Sequence, residues 1–243
     1  TQILVDVCSI SRCLPACLRA CLPAAPHLSV CTPNPISEQS AAVARRNRHA
    51  QVGKVLDALD SANLIDRTII IFTSDHGFHL GEHDFWAKVS LRDESAGVPL
   101  IICVPGKKPA VCHSFVELLD LYPTTAALCG LEVPERLQGK DISRMLDDPE
   151  HEVRKDAFCV APMRKGFLIR DRNWAYLQYG EQAAGGRELF NMMKDPGQFT
   201  NLADDASHAD ITRKFEDRLA RKLKSVRTND LGVSYRRPGT GKK

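Results

Sequence analysis

At 243 residues, the chain is long enough for one large domain, or for a domain with a small appendage. Its 43% hydrophobic and 26% charged content excludes a disordered composition, and no apolar run has the length of a membrane span. The formal net charge of +3 conceals a division, because residues 218–243 carry nine Lys and Arg against one acidic residue, while residues 51–217 are acidic overall. A solvated helix face with a frayed end explains this basic tail better than nucleic-acid contact does, since it lacks the aromatic series that stacks on bases.

The opening QILVDV reads as a strand. The stretch after it mixes Cys8, Cys13, Cys17, Cys21 and Cys31 with Pro, Ala and Arg and shows neither a helical nor a strand period. The five cysteines have no C-x-x-C spacing, which argues against a structural zinc site. No positive segment followed by an apolar core is visible at the start, so the expectation is either a cytoplasmic protein or a natural N-terminus lying further upstream. Residues 1–50 are therefore expected to be a poorly specified lead-in, disordered or aberrant.

From Gln51 the pattern sharpens. Val52, Val55, Leu56 and Leu59 recur at i, i+3, i+4 and i+7, the stripe of an amphipathic helix ending near Ser61–Asn63. The unbroken apolar run in Thr68–Thr73 suits a strand covered on both faces, as in a parallel sheet. Helix, short connection and buried strand make an α/β unit, and in such sheets ligands gather at the carboxyl ends of the strands. That is where Ser74-Asp75-His76-Gly77 falls, at the head of a polar loop holding His79, Glu82, His83, Asp84 and Lys88.

Val98–Val104 follows as a second buried strand, stopped by Pro105-Gly106. Asp120 is expected to N-cap a short helix over Thr124–Cys129 that ends at Gly130, and Gly139–Leu146 to form another. Beyond Phe158 the character changes. Gly166–Ile169 and Trp174–Tyr179 predict a hairpin around Arg170-Asp171-Arg172-Asn173, and Glu188–Asn191 a further strand. Ile211, Phe215, Leu219, Leu223 and Val226 stripe a charged helix.

In the loop after the first buried strand, Asp75 offers carboxylate oxygens and His76 an imidazole nitrogen, a pair suited to a divalent cation. A zinc cluster of His76, His79 and His83 is the weaker alternative, because Gly77 and Gly81 interrupt the helix that such spacing needs. Lys88 follows the aromatic pair Phe85-Trp86, where an ammonium held beside a metal can neutralise an oxyanion.

Four stretches, DHGFHLGEHDFWAK, GVPLIICVPG, DLYPTTAALCGL and ELFNMMKDPGQFTNLA, occur in the order found in sulfatases, and together they closely resemble the C-terminal half of that family. The iduronate-2-sulfatase-like and choline-sulfatase-like members of this alkaline phosphatase superfamily are the most similar in flavour. The resemblance implies an α/β fold, here a partial alkaline-phosphatase-like sandwich with a small C-terminal antiparallel sheet and helix. It divides the chain into 51–150, the C-terminal part of the sulfatase α/β domain, 151–233, a C-terminal subdomain, and 234–243, a disordered basic tail. It implies Asp75 and His76 as ligands of a calcium ion, Lys88 as the catalytic lysine contacting the sulfate ester, and His79 and His83 as possible lining of the substrate pocket.

The family's nucleophile is a formylglycine made from a Cys or Ser in a C-x-P-x-R element, and paired aspartates after the first strand complete the metal site. Cys31-Thr32-Pro33-Asn34-Pro35 is similar to that element but carries Pro35 in place of its arginine, and Cys8-Ser9 stands where the aspartates are expected. The resulting expectation is a truncated sulfatase, inactive alone, whose intact relatives hydrolyse a sulfated small molecule or carbohydrate and are often periplasmic or secreted. A phosphatase or phosphonate hydrolase of the same superfamily and a non-catalytic anion- or metal-binding remnant are the alternatives.

Overall fold

A computed structural model describes residues 3–7 as backbone, and residues 50–161 and 166–227 in full. The N-terminal cysteines, including Cys31, and the basic tail at 234–243 lie outside the described residues. Two four-stranded sheets organise the rest. The first contains β1 (Ile3–Val7), β2 (Ile70–Thr73), β3 (Val98–Cys103) and β4 (Ala110–Cys112), in the order β2-β3-β1-β4. β1 runs parallel to β3, with Ile3 opposite Val98 and Val7 opposite Ile102. The opening strand-like run thus lies inside this sheet.

β2 departs from expectation. It pairs antiparallel with β3, Ile70 opposite Cys103, and all four of its residues are only half-buried. Among the described residues it is an edge strand, so the apolar run reports high β-propensity but not cover on both faces. The residues at 50–61 are helical (α1), with the stripe residues Val52, Leu56 and Leu59 half-buried and Val55 exposed. The core of this half is built from Leu100, Ile102, Cys112, Val116, Ile142 and Met145.

After a four-residue helix, α2 (Asp93–Ala96), and the strand β3, the helix α3 (Leu121–Leu128) begins three residues earlier than the sequence suggests. It ends as expected. Gly130 adopts φ +68°, and the bonds Leu131 N–H to Ala126 O (2.9 Å) and Gly130 N–H to Ala127 O (3.0 Å) make a Schellman stop. The helix expected over Gly139–Leu146 is reduced to a single 3-10 turn at Ser143–Leu146.

The second sheet is an antiparallel meander of β5 (Asp156–Val160), β6 (Gly166–Asp171), β7 (Trp174–Tyr179) and β8 (Arg187–Asn191). Its strands alternate between two cores. Phe167, Ile169, Tyr176 and Leu189 face Phe215 and Leu219 of the long helix α4 (Ala209–Arg227). Leu168, Ala175, Leu177 and Phe190 pack in the other direction, on Leu91 and Ala96. The second core lies nearest the polar loop, because Leu91 and Ala96 flank its end.

Candidate active site

The loop leaves β2 at Ser74 and returns to the sheet at β3. At its head, His76 Nδ1 lies 2.7 Å from the Gly77 carbonyl oxygen, and its Nε2 lies 3.5 Å from Asp75 Oδ2. A carbonyl can only accept, so Nδ1 carries a proton, and the outward nitrogen Nε2 faces an exposed carboxylate. Orienting one imidazole nitrogen through a backbone oxygen in this way is how histidine is prepared as a metal ligand. No third His, Cys, Asp or Glu completes such a set among the described residues.

The next residue has to be glycine. A Cβ on Gly77 would stand 2.0 Å from the carbonyl oxygen of Glu94 and 2.9 Å from that of Gly97. This close approach lets the Gly77 N–H donate to the Ser95 carbonyl at 2.9 Å, fastening the His76 turn to α2.

Beyond Gly77 the loop folds on itself. His79 N–H donates to Ala87 O (2.9 Å), and Leu80 N–H donates to Glu82 Oε2 (2.5 Å). Gly81 takes φ +119° above the Trp86 ring, and His83 and Asp84 are both left-handed, at φ 57° and 54°. Two consecutive non-glycine residues in that region carry strain of order 1 kcal/mol each, held by the surrounding contacts.

The two histidines expected to line a pocket sit behind the loop. His79 is 1% exposed, its ring edge-on to Phe85 (5.2 Å) and His83 (5.9 Å), and neither ring nitrogen has a hydrogen-bond partner. Burial pushes its pKa below the ordinary 6.5, although the charge of Glu94 opposes the shift. His83 approaches Glu94 Oε1 at 3.4 Å and is covered by Phe199, with ring centroids 4.8 Å apart. Lys88 is exposed, and among the described residues its ammonium has no ion-pair partner. Exposed Trp86 and Val89 flank it.

No local signal separates Arg92 or Glu94 from a solvated face, yet α2 and its preceding arginine anchor the loop. Arg92 pairs with Glu188 of β8 at 2.7 Å and donates to the Gln198 carbonyl, and Asp93 N–H donates to Gln198 Oε1 at 2.9 Å. Arg170 of β6 lies 3.5 Å from Asp93, whose pKa burial raises against the pull of that guanidinium. The C-terminal sheet is thus the wall against which the loop is set. A shallow hollow of about 490 Å³ lined by Gln51, Lys54, Val55, Ala58 and Leu59 lies on α1 and shares no residue with the loop.

Comparisons with known proteins match this arrangement. The family model for the C-terminal part of N-sulphoglucosamine sulphohydrolase covers residues 81–225. Arylsulfatase K of Mus musculus is 29% identical over 182 residues, covering 70% of this chain and 32% of its own length. A structure solved in complex with its substrate, D-glucosamine-2-N,6-O-disulfate, is 27% identical with a TM-score of 0.62, over 74% of this chain and 38% of that one. The phosphonate monoester hydrolase of Agrobacterium radiobacter is 26% identical with a TM-score of 0.63, over 77% and 43% respectively. The chain therefore spans about a third of the length of the curated relatives it matches. Four ordered motifs, a two-sheet fold shared with these structures and a family match over more than half its length place this chain in the sulfatase family, in its C-terminal portion.

Proposed function

We propose that this chain carries one half of a sulfate-ester hydrolysing site, in which Asp75 and His76 hold a divalent cation, calcium first among the candidates, and Lys88 contacts the sulfate. The observation that carries the reading is the His76 ring. Its Nδ1 is committed to Gly77 O at 2.7 Å, which leaves Nε2 as the ring nitrogen available to a cation, beside Asp75 Oδ2 at the carboxyl end of a strand. One carboxylate and one imidazole fit two positions of a divalent cation, and the remaining positions must come from groups other than the described His, Cys, Asp and Glu. When bound, the cation supplies positive charge that polarises the ester oxygens.

The work of the chain's own residues is to orient and neutralise. Gly77 brings the His76 turn against α2, and the unpaired Lys88 ammonium offers a positive charge and three donors to an anion. Relatives that act on sulfated sugars make a sulfated carbohydrate the favoured substrate class. The formylglycine nucleophile has no supported position here, because Cys31 lies outside the described residues and its element has Pro35 where arginine is expected. The likeness to a phosphonate monoester hydrolase favours a second reading, in which the same half-site serves a phosphonate or phosphate ester.

Calcium titration calorimetry and turnover of paired aryl esters test both readings. The 243-residue chain binds calcium, Asp75→Asn and His76→Ala weaken that binding at least tenfold without lowering the melting temperature, and neither aryl sulfate nor aryl phosphate is turned over above buffer. Aryl-sulfate hydrolysis abolished by Cys31→Ala would overturn the half-site reading. Tighter binding of phosphonate than of sulfate would favour the second one.

A further inference from the structure

Ser95 touches both parts of the candidate site. It is 4% exposed in the middle of α2. Its backbone carbonyl accepts from the Gly77 N–H at 2.9 Å, directly behind His76. Its side-chain Oγ donates to the carbonyl oxygen of Lys88. The same residue therefore holds the cation-ligand turn through its main chain and the lysine segment through its hydroxyl.

We propose that Ser95 is a positioning residue that sets Lys88 relative to the Asp75-His76 pair. This inference rests on the functional reading above. Three features give it physical content. The lysine segment is otherwise lightly held: among the described residues its only other hydrogen bond is His79 N–H to Ala87 O, and Trp86 and Val89 on either side of it are exposed. The platform beneath Ser95 is rigid, because Arg92 and Asp93 are bonded to Glu188 and Gln198 and Ala96 packs into the core of the C-terminal sheet. Finally, the two bonds of Ser95 are chemically separable. A side-chain change removes the bond to Lys88 and leaves the backbone bond to Gly77 intact.

That separability gives a signature which a merely structural role would not produce. An ammonium free to wander loses more against an anion than the fixed ligand pair loses against a cation. Ser95→Ala is therefore expected to weaken inorganic sulfate binding by roughly fivefold to tenfold, the scale of one lost positioning hydrogen bond. Calcium affinity stays within about twofold of wild type, because the Gly77 bond to the backbone survives. Ser95→Thr, which keeps the hydroxyl, restores sulfate binding.

The experiment follows two NMR titrations of the full chain, sodium sulfate in the presence of calcium and calcium alone, together with amide hydrogen exchange. In Ser95→Ala the His79 amide, whose acceptor is the Ala87 carbonyl beside the lysine, is expected to exchange faster, while the Gly77 amide stays protected. Unchanged exchange at His79 would overturn the proposal whatever the ligands do. So would a joint fall in calcium and sulfate affinity with loss of Gly77 protection, because Ser95 would then act only through packing. If exchange separates as expected but wild type and Lys88→Ala bind sulfate equally, Ser95 positions the lysine segment and the functional reading is the part that fails.

Discussion

Two of the buried polar clusters among the described residues are built to opposite standards. In the first, Asp120 is fully buried and every lone pair is spoken for. It accepts from Glu117 N–H (2.7 Å), Lys140 N–H (2.8 Å) and both guanidinium ends of Arg154, one of them at 2.7 Å. Glu117 beside it accepts from Phe158 N–H at 2.8 Å, so the cluster joins the turn before α3 to β5 of the C-terminal sheet. In the second, behind the site loop, both nitrogens of His79, Nε2 of His83 and one oxygen of Glu94 are buried without a hydrogen-bond partner. A saturated network holds one geometry, whereas an unsaturated one is costly unless water or a ligand completes it. The first cluster is a structural weld, and the second lies beside the proposed site.

The largest effect expected from breaking this contrast is on the weld. Arg154→Met leaves Asp120 and Glu117 facing each other without their only guanidinium, in a place where both are almost wholly buried. Removing one partner of a buried ion pair costs about 3–5 kcal/mol, and that loss is expected in the urea or thermal unfolding of the full chain. A loss below about 1 kcal/mol would show that the carboxylates find other partners or water.

An intermediate effect is expected at Gly77. Gly77→Ala places a methyl 2.0 Å from a backbone oxygen of α2, and neither partner is a flexible side chain. The turn must move away, at a cost of about 1–3 kcal/mol in stability. The larger consequence falls on function, because His76 moves with it. Calcium affinity in this variant is expected to fall at least tenfold, a loss that calorimetry reads directly and that a purely global destabilisation would not produce below the melting transition.

How much of this was legible in the sequence depends on how local the cause is. The stripe of α4, the β6–β7 hairpin and the Gly130 stop are each written within a few residues, and all three are found where the pattern places them. Asp75, His76 and Lys88 stand out by motif, since a strand end followed by a glycine turn is also a local signal. Asp120 does stand at the N-cap position of α3, but its side chain is held by Arg154, 34 residues away, a partner that leaves no trace in local spacing. β5 was missed for the same reason, as a short segment whose order comes from pairing with β6. Arg92 and Glu94 carry no local signal that separates them from a solvated face, because the partners of this segment, Arg170, Glu188 and Gln198, stand up to about a hundred positions downstream, and nothing nearby marks Ser95 as an anchor either.

The smallest effect, and the sharpest test of the contrast, concerns His79. Replacing a saturated buried group is costly, but replacing one whose polar atoms are already unpartnered removes a desolvation penalty along with some packing. His79→Phe keeps an aromatic ring against Phe85 and His83, and its stability at neutral pH is expected to lie within about 1 kcal/mol of wild type. The pH dependence then separates the two proteins. Burial holds the native His79 pKa below 6.5, so the unfolded chain takes up this proton before the native one does. The stability tied to neutral His79 is complete above about pH 6.5 and declines as pH falls from there toward the depressed native value. Wild type is therefore expected to lose melting temperature on acidification through that window more steeply than His79→Phe, and the difference between the two curves isolates this one ring from every carboxylate they share. Parallel curves would mean that His79 titrates normally and that an ordered water, or opening of the loop, already serves its two nitrogens.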